Sequence, residues 1–272
     1  MRLHCNLLVN TRKMAICCYN FSWFTVPIDG NYNDVVSVDG DGYIIANRAG
    51  ITKIYAGYLT GSIALFSNRC DITVEDKNIV LTGDVTSPVT VPDGYTLILN
   101  GAAIKCSGAE DKPAIKLEGN AIIKIADDTE NNISVGGTSV SVLYDPIDGY
   151  DSNQVLIIRG GEKGNGKLTI IGDSGIDVNK IKVEGGVLNV IGTGNGGIFC
   201  QDGLTVNGGT LTVEGAEFSI ACKISLANGY VLYAGDSSDS TNPVSPDEDN
   251  LYYCDGMYAV ITPRTHSPGL GG

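Results

Sequence analysis

The sequence is poor in the residues that carry most enzyme chemistry. Only two histidines occur among its 272 residues, His4 and His266, near opposite ends. Imidazole is the usual general base and the commonest metal ligand, so a histidine-centred triad or metal site has no basis. The eight cysteines (Cys5, Cys17, Cys18, Cys70, Cys106, Cys200, Cys222 and Cys254) form no C-x-x-C pair, which argues against a zinc frame as well. No G-x-S-x-G elbow is present, and glycine pairs such as Gly136-Gly137 and Gly185-Gly186 open no helical pattern that could cradle a phosphate. Charge is also scarce, at 18% of residues, and lopsided: 18 basic against 31 acidic side chains, a net charge of −13. Nucleic acid and anionic membrane both want a basic surface, so neither is an expected partner. No apolar run reaches the roughly 18 residues of a spanning helix. The longest candidate, residues 14–28, is broken by Asn20 and Ser22 and ends beside Pro27, so no membrane insertion is expected.

Targeting signals are equally thin. Arg12 and Lys13 precede an apolar stretch, but no small-residue cleavage site follows. The chain reads as part of a longer protein or as one with a misplaced start. Residues 263–272 hold no sorting motif that would name an anchor. Eight cysteines are few for a disulfide scaffold of this length, and most read as small buried hydrophobes.

Glycine is what the sequence has in excess: 36 residues, with no three-residue period, so collagen is excluded. Helical periodicity is almost absent. Short β-branched runs bounded by Gly, Asn and Asp recur instead, for example Tyr95–Leu99, Ile122–Ile125, Leu168–Ile171, Val187–Ile191 and Leu211–Val213. The expected class is all-β.

A boundary falls near Glu75-Asp76-Lys77. Before it, Val35–Val38, the turn Asp39-Gly40-Asp41-Gly42 and Tyr43–Ala46 spell a hairpin, and Cys70–Val74 closes the segment as another strand. With Ser22-Trp23 supplying a core tryptophan, residues 22–75 resemble the bacterial immunoglobulin-like group 2 family. The resemblance implies a β-sandwich over residues 1–75, of the kind used as a spacer or adhesive module on cell surfaces.

After the boundary the chain repeats. Gly185-Gly186-Val187-Leu188-Asn189-Val190 and Gly208-Gly209-Thr210-Leu211-Thr212-Val213 lie 23 residues apart, each preceded by a short strand at the same offset. Gly175-Ile176 and Gly197-Ile198 recur 22 apart. A 20–23-residue period with three short strands and glycine corners predicts a right-handed parallel β-helix over residues 76–235. A Ser/Asp/Pro-rich loop and closing strands at Leu251–Tyr253 and Tyr258–Ile261 are expected within 236–272. Such a stack needs a lid at each end, and the N-terminal unit and these last strands would supply them.

The segment 78–235 resembles the carbohydrate-binding β-helix family of bacterial extracellular proteins, through Leu97-Ile98-Leu99-Asn100-Gly101, Ala114-Ile115, the acidic turn Asp127-Asp128-Thr129-Glu130 and the Gly-Ile and Gly-Gly repeats. In that family, aspartates before Gly-Ile and before the following strand can line up as calcium ligands. Here the first positions are Ser174 and Gly196 and the second are Asn179 and Asp202, so Asp202 alone keeps a carboxylate. Calcium asks for six to eight oxygens. A loop with Asp145, Asp148 and Asp151 is the other place where calcium could bind, and the turn Asp127–Glu130 is a weaker one. No other cofactor is expected.

Sugar binding typically uses aromatic faces, which offer flat apolar area at little entropic cost. Tyr144 and Tyr150 flank the aspartate loop, making Tyr144, Tyr150, Asp145, Asp148 and Asp151 the expected ligand patch; Tyr95 and Tyr230 are further tyrosines of the helix region. A lyase base could be sought in Arg159, the one arginine between Arg69 and Arg264, though it reads as a solvated edge charge. Carboxylates for a hydrolase could be sought in Asp177, Glu184 and Asp202, but no repeat gathers them. The expected function is therefore non-catalytic: a secreted or surface protein binding a glycan or polysaccharide. A structural spacer or adhesin contacting surface proteins is the alternative, and a polysaccharide lyase or glycoside hydrolase a weaker one.

Overall fold

In the computed structural model, backbone and side chains are described over residues 77–85, 88–106, 113–136 and 154–264, and the backbone alone for strands within 2–75 and for most of 141–144. All the regular structure described is β. The first six strands are β1 (Arg2–His4), β2 (Phe21–Pro27), β3 (Val36–Val38), β4 (Tyr43–Ala46), β5 (Gly50–Thr60) and β6 (Ile63–Glu75). Next come β7 (Asn78–Val85), β8 (Val89–Val91), β9 (Tyr95–Cys106), β10 (Ile115–Leu117), β11 (Ala121–Ile125), β12 (Glu130–Val135), β13 (Ser141–Tyr144), β14 (Leu156–Gly160) and β15 (Lys167–Gly172). The last nine are β16 (Ser174–Val178), β17 (Ile181–Gly192), β18 (Gly196–Cys200), β19 (Leu204–Gly215), β20 (Phe218–Ala221), β21 (Ile224–Leu226), β22 (Tyr230–Gly235), β23 (Asn242–Pro243) and β24 (Tyr258–Pro263).

From β7 to β21 the strands pair in parallel with strands one turn of chain away. Ile176 pairs with Ile198, Ile181 with Leu204 and Val187 with Thr210, so the chain returns to its own side after 22 or 23 residues, the spacing of the glycine repeats. Three runs of pairing result. One is the six-strand parallel series β8, β10, β13, β16, β18, β20. The other two share bent strands. The first half of β9 pairs with β11 and its second half with β12, and β17 serves β14 and β15 in the same way. Pairing therefore closes a ring of six parallel strands, β9, β11, β14, β17, β15 and β12.

Alternation in each strand sends every second side chain inward, and register then stacks like on like. Ile79, Leu97, Ile123, Ile158, Val183 and Val206 form one buried column. Ile104, Ile133, Ile170, Val190, Val213 and Ala259 form a second, and Val89, Ile115, Ile176, Ile198 and Ile220 belong to a third. They merge into one hydrophobic core running from Ile79 to Ile261. The bend inside β17 and β19 falls on the glycine pairs. Gly186 and Gly209 have φ of +87° and +77°, a region that side-chain-bearing residues seldom adopt, and a Cβ on Gly209 would strike the carbonyl of Gly186.

Both ends of the parallel stack switch to antiparallel pairing, which occupies edges that would otherwise invite other chains. At the first end β6 pairs with β7 and β1 with β4 and β8. At the last end β24 pairs with β19 and β22. The segment before β24 also crosses the final coil, where Ile224 and Tyr252 exchange backbone bonds and the amide of Ser219 donates to the carbonyl of Gly256.

Polar side chains staple the coils. Asn131, buried, accepts from the Ala102 amide and donates to the Lys167 carbonyl and to Thr129 Oγ1, so one side chain ties three levels. The acidic turn is consumed in the same way. Asp127 accepts the backbone amides of Lys163 and Gly164, and Asp128 takes Lys163 Nζ and Asn165 Nδ2. Hydrogen bonds from Lys163 and Asn165 lower the Asp128 carboxyl below its usual range, and Lys167 does the same to Glu130. Cys200 and Cys222 are joined in a disulfide across 22 residues, one turn of the stack. Their register made them neighbours, which their separation in sequence hid. Cys106 does fit the buried reading, since burial pushes its thiol up to about 12.

Candidate functional site

Among the described residues, the outer surface of the six-strand parallel series carries an open groove. Asp177 and Phe199 are register partners on β16 and β18. Each sits between buried neighbours, Ile176 and Val178 or Ile198 and Cys200, so both side chains point outward. Phe199 is 49% exposed, one of three large apolar side chains that face solvent among the described residues. One level on, Gly196 pairs with Phe218, whose ring fills the space a side chain at 196 would need. Ser174, Ile176, Asp177, Asn195, Gly196, Phe199 and Phe218 thus line an open groove of about 260 Å³. Cavities that enclose drug-sized ligands run to about 300–1,000 Å³, so this groove seats part of a ligand against a surface. Its chemistry is two aromatic rings beside a carboxylate, an amide and a hydroxyl. The rings can cover an apolar face, and the polar groups accept and donate hydrogen bonds at its edge.

A family model described as "Carbohydrate-binding domain-containing protein" matches residues 68–241, well over half of the chain. The chain belongs to this family. No curated protein and no solved structure gives a significant match. The groove residues all fall inside the segment that defines the chain as a carbohydrate-binding-domain protein.

Most of the expected ligand patch lies outside the described residues. Tyr144 ends β13 in register between Lys116 and Asp177, which puts its backbone on the row that carries Phe199. Its side chain, and Asp145, Asp148, Tyr150 and Asp151 entirely, lie outside the described residues. Asp202 is exposed in the turn after β18, where its amide donates to the Asn179 carbonyl and its carboxylate accepts from Asn179 Nδ2 at 3.4 Å. The two "second positions" do stack, but as an amide–carboxylate pair. Among the described residues no three His, Cys, Asp or Glu side chains gather as a metal-holding group. The "first positions", Ser174 and Gly196, both line the groove. Tyr95 and Tyr230 pack against the core, and burial raises the Tyr230 phenol. Arg159 is exposed but engaged with Glu184 on the next coil.

Phe199 and Phe218 were not singled out by sequence reasoning, which sought tyrosines near acids. The signal was available in the period: Asp177 and Phe199 are 22 apart, as are Gly196 and Phe218, so writing the coils one above another places all four together.

Proposed function

We propose that this chain is a non-catalytic carbohydrate-binding protein that seats a sugar on the Phe199–Phe218 groove. The observation that carries the reading is an outward, half-exposed Phe199 in register with Asp177 and flanked by Asn195 and Ser174. A pyranose has an apolar C–H face and a rim of hydroxyls. Phe199 and Phe218 would meet the first, and Asp177, Asn195 and Ser174 the second. The match of residues 68–241 to a carbohydrate-binding family points the same way. The engagement of Arg159 by Glu184 argues against that arginine serving as a lyase base.

We read residues 76–235 as a right-handed parallel β-helix and residues 1–75 as a bacterial immunoglobulin-like sandwich that closes its first end. The parallel register and the antiparallel strands on β7 and β8 support that pairing of units. The setting we propose is extracellular or cell-surface adhesion to glycans, favoured by the Cys200–Cys222 disulfide, a bond typical of oxidising compartments.

A glycan array probed with the wild type and with Phe199→Ala, each with and without calcium, tests the function. The wild type is expected to bind a defined set of glycans, and Phe199→Ala to bind them at least tenfold more weakly. Binding that is indifferent to Phe199→Ala, or no binding under either condition, rejects the groove as the site.

A further inference from the structure

A different face of the stack carries a second ordered array. Asn132 pairs with Thr169, Thr169 with Asn189, and Asn189 with Thr212. Each lies between two buried residues of its own strand, as Thr169 does between Leu168 and Ile170, so all four side chains stand on the outer surface, half-buried. Neighbouring strands are about 4.8 Å apart, so the column presents amide, hydroxyl, amide, hydroxyl at even steps over about 14 Å. None of the four side chains makes a hydrogen bond to a protein group among the described residues. Their surroundings contrast with this. Asn131 is bonded inward, and Glu130 is paired with Lys167.

The flanking columns are mixed: three apolar residues stand in line with Ser134 on one side and with Glu130 and Lys167 on the other. Ile171 and Ile191 are register partners on one side and end at Glu214, and Val187 and Thr210 lie on the other. All four of these margin residues are half-buried. The central column is itself uncharged, in a chain of net charge −13.

We propose that Asn132, Thr169, Asn189 and Thr212 form a second carbohydrate-binding track, which takes an extended, neutral polysaccharide laid along the stacking direction. The inference shares the carbohydrate reading of the groove but stands on other residues and another face. Hydroxyl and amide side chains offer both donors and acceptors, which suits hydroxyls on the ligand. Ile171, Ile191 and Val187 would meet the C–H faces of the sugars. The strand spacing is close to the advance of one sugar along an extended β-linked chain, so successive sugars meet successive rungs. Charge selects the neutral class: a polyuronate would approach a strongly acidic protein, with Glu214 beside the track and Lys167 already paired.

The test is retention of the full chain on insoluble xylan, mannan and β-glucan, with polygalacturonate as the charged comparison. Three proteins are compared with wild type: Thr169→Val/Asn189→Leu/Thr212→Val, the single blocking variant Thr169→Lys, and Phe199→Ala. Thermal melting confirms that each is folded, and Thr169→Lys changes one half-exposed side chain should the triple variant fail. The wild type is expected to bind at least one neutral polymer, with tenfold or greater weakening in both track variants, whatever the effect of Phe199→Ala. Track variants that bind every polymer as wild type does overturn the track; if Phe199→Ala alone is weakened, the groove stands without it. Wild type that binds none of the neutral polymers overturns it as well.

Discussion

Arg159 donates two hydrogen bonds to a single carboxylate oxygen of Glu184, from Nε at 2.9 Å and from Nη2 at 2.6 Å, and so links two adjacent coils. The pair lies one position beyond the register match of Ile158 with Val183. The two side chains are 47% and 29% exposed, so water and salt screen most of the attraction. An exposed pair of this kind contributes about 0.2–1 kcal/mol. Arg159→Ala should lower the melting temperature slightly at low salt and negligibly at high salt. The same variant and the wild type should both leave polygalacturonate uncut, by the ultraviolet absorbance of unsaturated product. Cleavage that disappears with Arg159 would instead make it a catalytic base.

The disulfide acts more strongly, because it closes a loop of one full coil. Cys200 ends β18, beside Phe199, and Cys222 follows β20. Cross-linking a loop of about this length stabilises a fold by about 2–4 kcal/mol, chiefly by restricting the unfolded chain. Cys200→Ala/Cys222→Ala should therefore lower the urea midpoint by a corresponding amount, and reductant should shift the wild type to the same place while leaving the variant unmoved. A variant as stable as wild type would show that the final coil is held by its backbone and the covering 252–257 segment alone.

Asn131 should be the most sensitive polar position in the stack. It is 4% exposed, and its amide serves the Ala102 N–H at 2.9 Å and the Lys167 carbonyl at 3.1 Å. Asn131→Leu keeps the volume but strands a buried donor and an acceptor, each costing about 1–3 kcal/mol. Chemical denaturation is expected to show a loss of about 2–4 kcal/mol. Hydrogen exchange should rise at the Ala102 amide in particular. If that amide stays protected, a water or a neighbouring carbonyl has replaced the side chain.

Much of the architecture was legible because periodic features repeat locally. The Gly185-Gly186 and Gly208-Gly209 pairs announce the bends of β17 and β19, and their 23-residue spacing is the pairing offset itself. What stayed hidden depends on side chains meeting between coils. The Cys200–Cys222 bond, the Arg159–Glu184 pair and the use of Asp127 and Asp128 as loop staples all join residues 22–37 positions apart. Composition near one point of the chain carries no trace of them. The acidic turn is an example: Asp127, Asp128 and Glu130 read chiefly as a turn between coils, but their partners were not legible, and two of them bind the 163–165 loop while the third binds Lys167. The groove was missed for a related reason. Phe199 in the run Ile198-Phe199-Cys200 reads as core until the alternation of the strand is known, and only the stacking of coils brings Phe218 beside it.

Gly196 supplies a way to perturb the groove without substituting any of the groups that would bind sugar. A side chain there would overlap the ring of Phe218, its register partner. Phe218 is half-buried at the start of its strand, so the ring can yield by turning outward, and the groove changes shape rather than the core. Gly196→Ala is therefore expected to lower stability by about 1–2 kcal/mol, in the range of mild overpacking, and to weaken sugar binding severalfold. Ser174→Ala, which removes one hydroxyl from the rim, should weaken binding with almost no change in melting temperature. Measured together by calorimetric titration with whichever glycan the array identifies, the two variants separate shape from hydrogen bonding. If both bind as tightly as wild type, the sugar does not sit between Phe199 and Phe218, and the search for its site moves to the Asn132–Thr212 face.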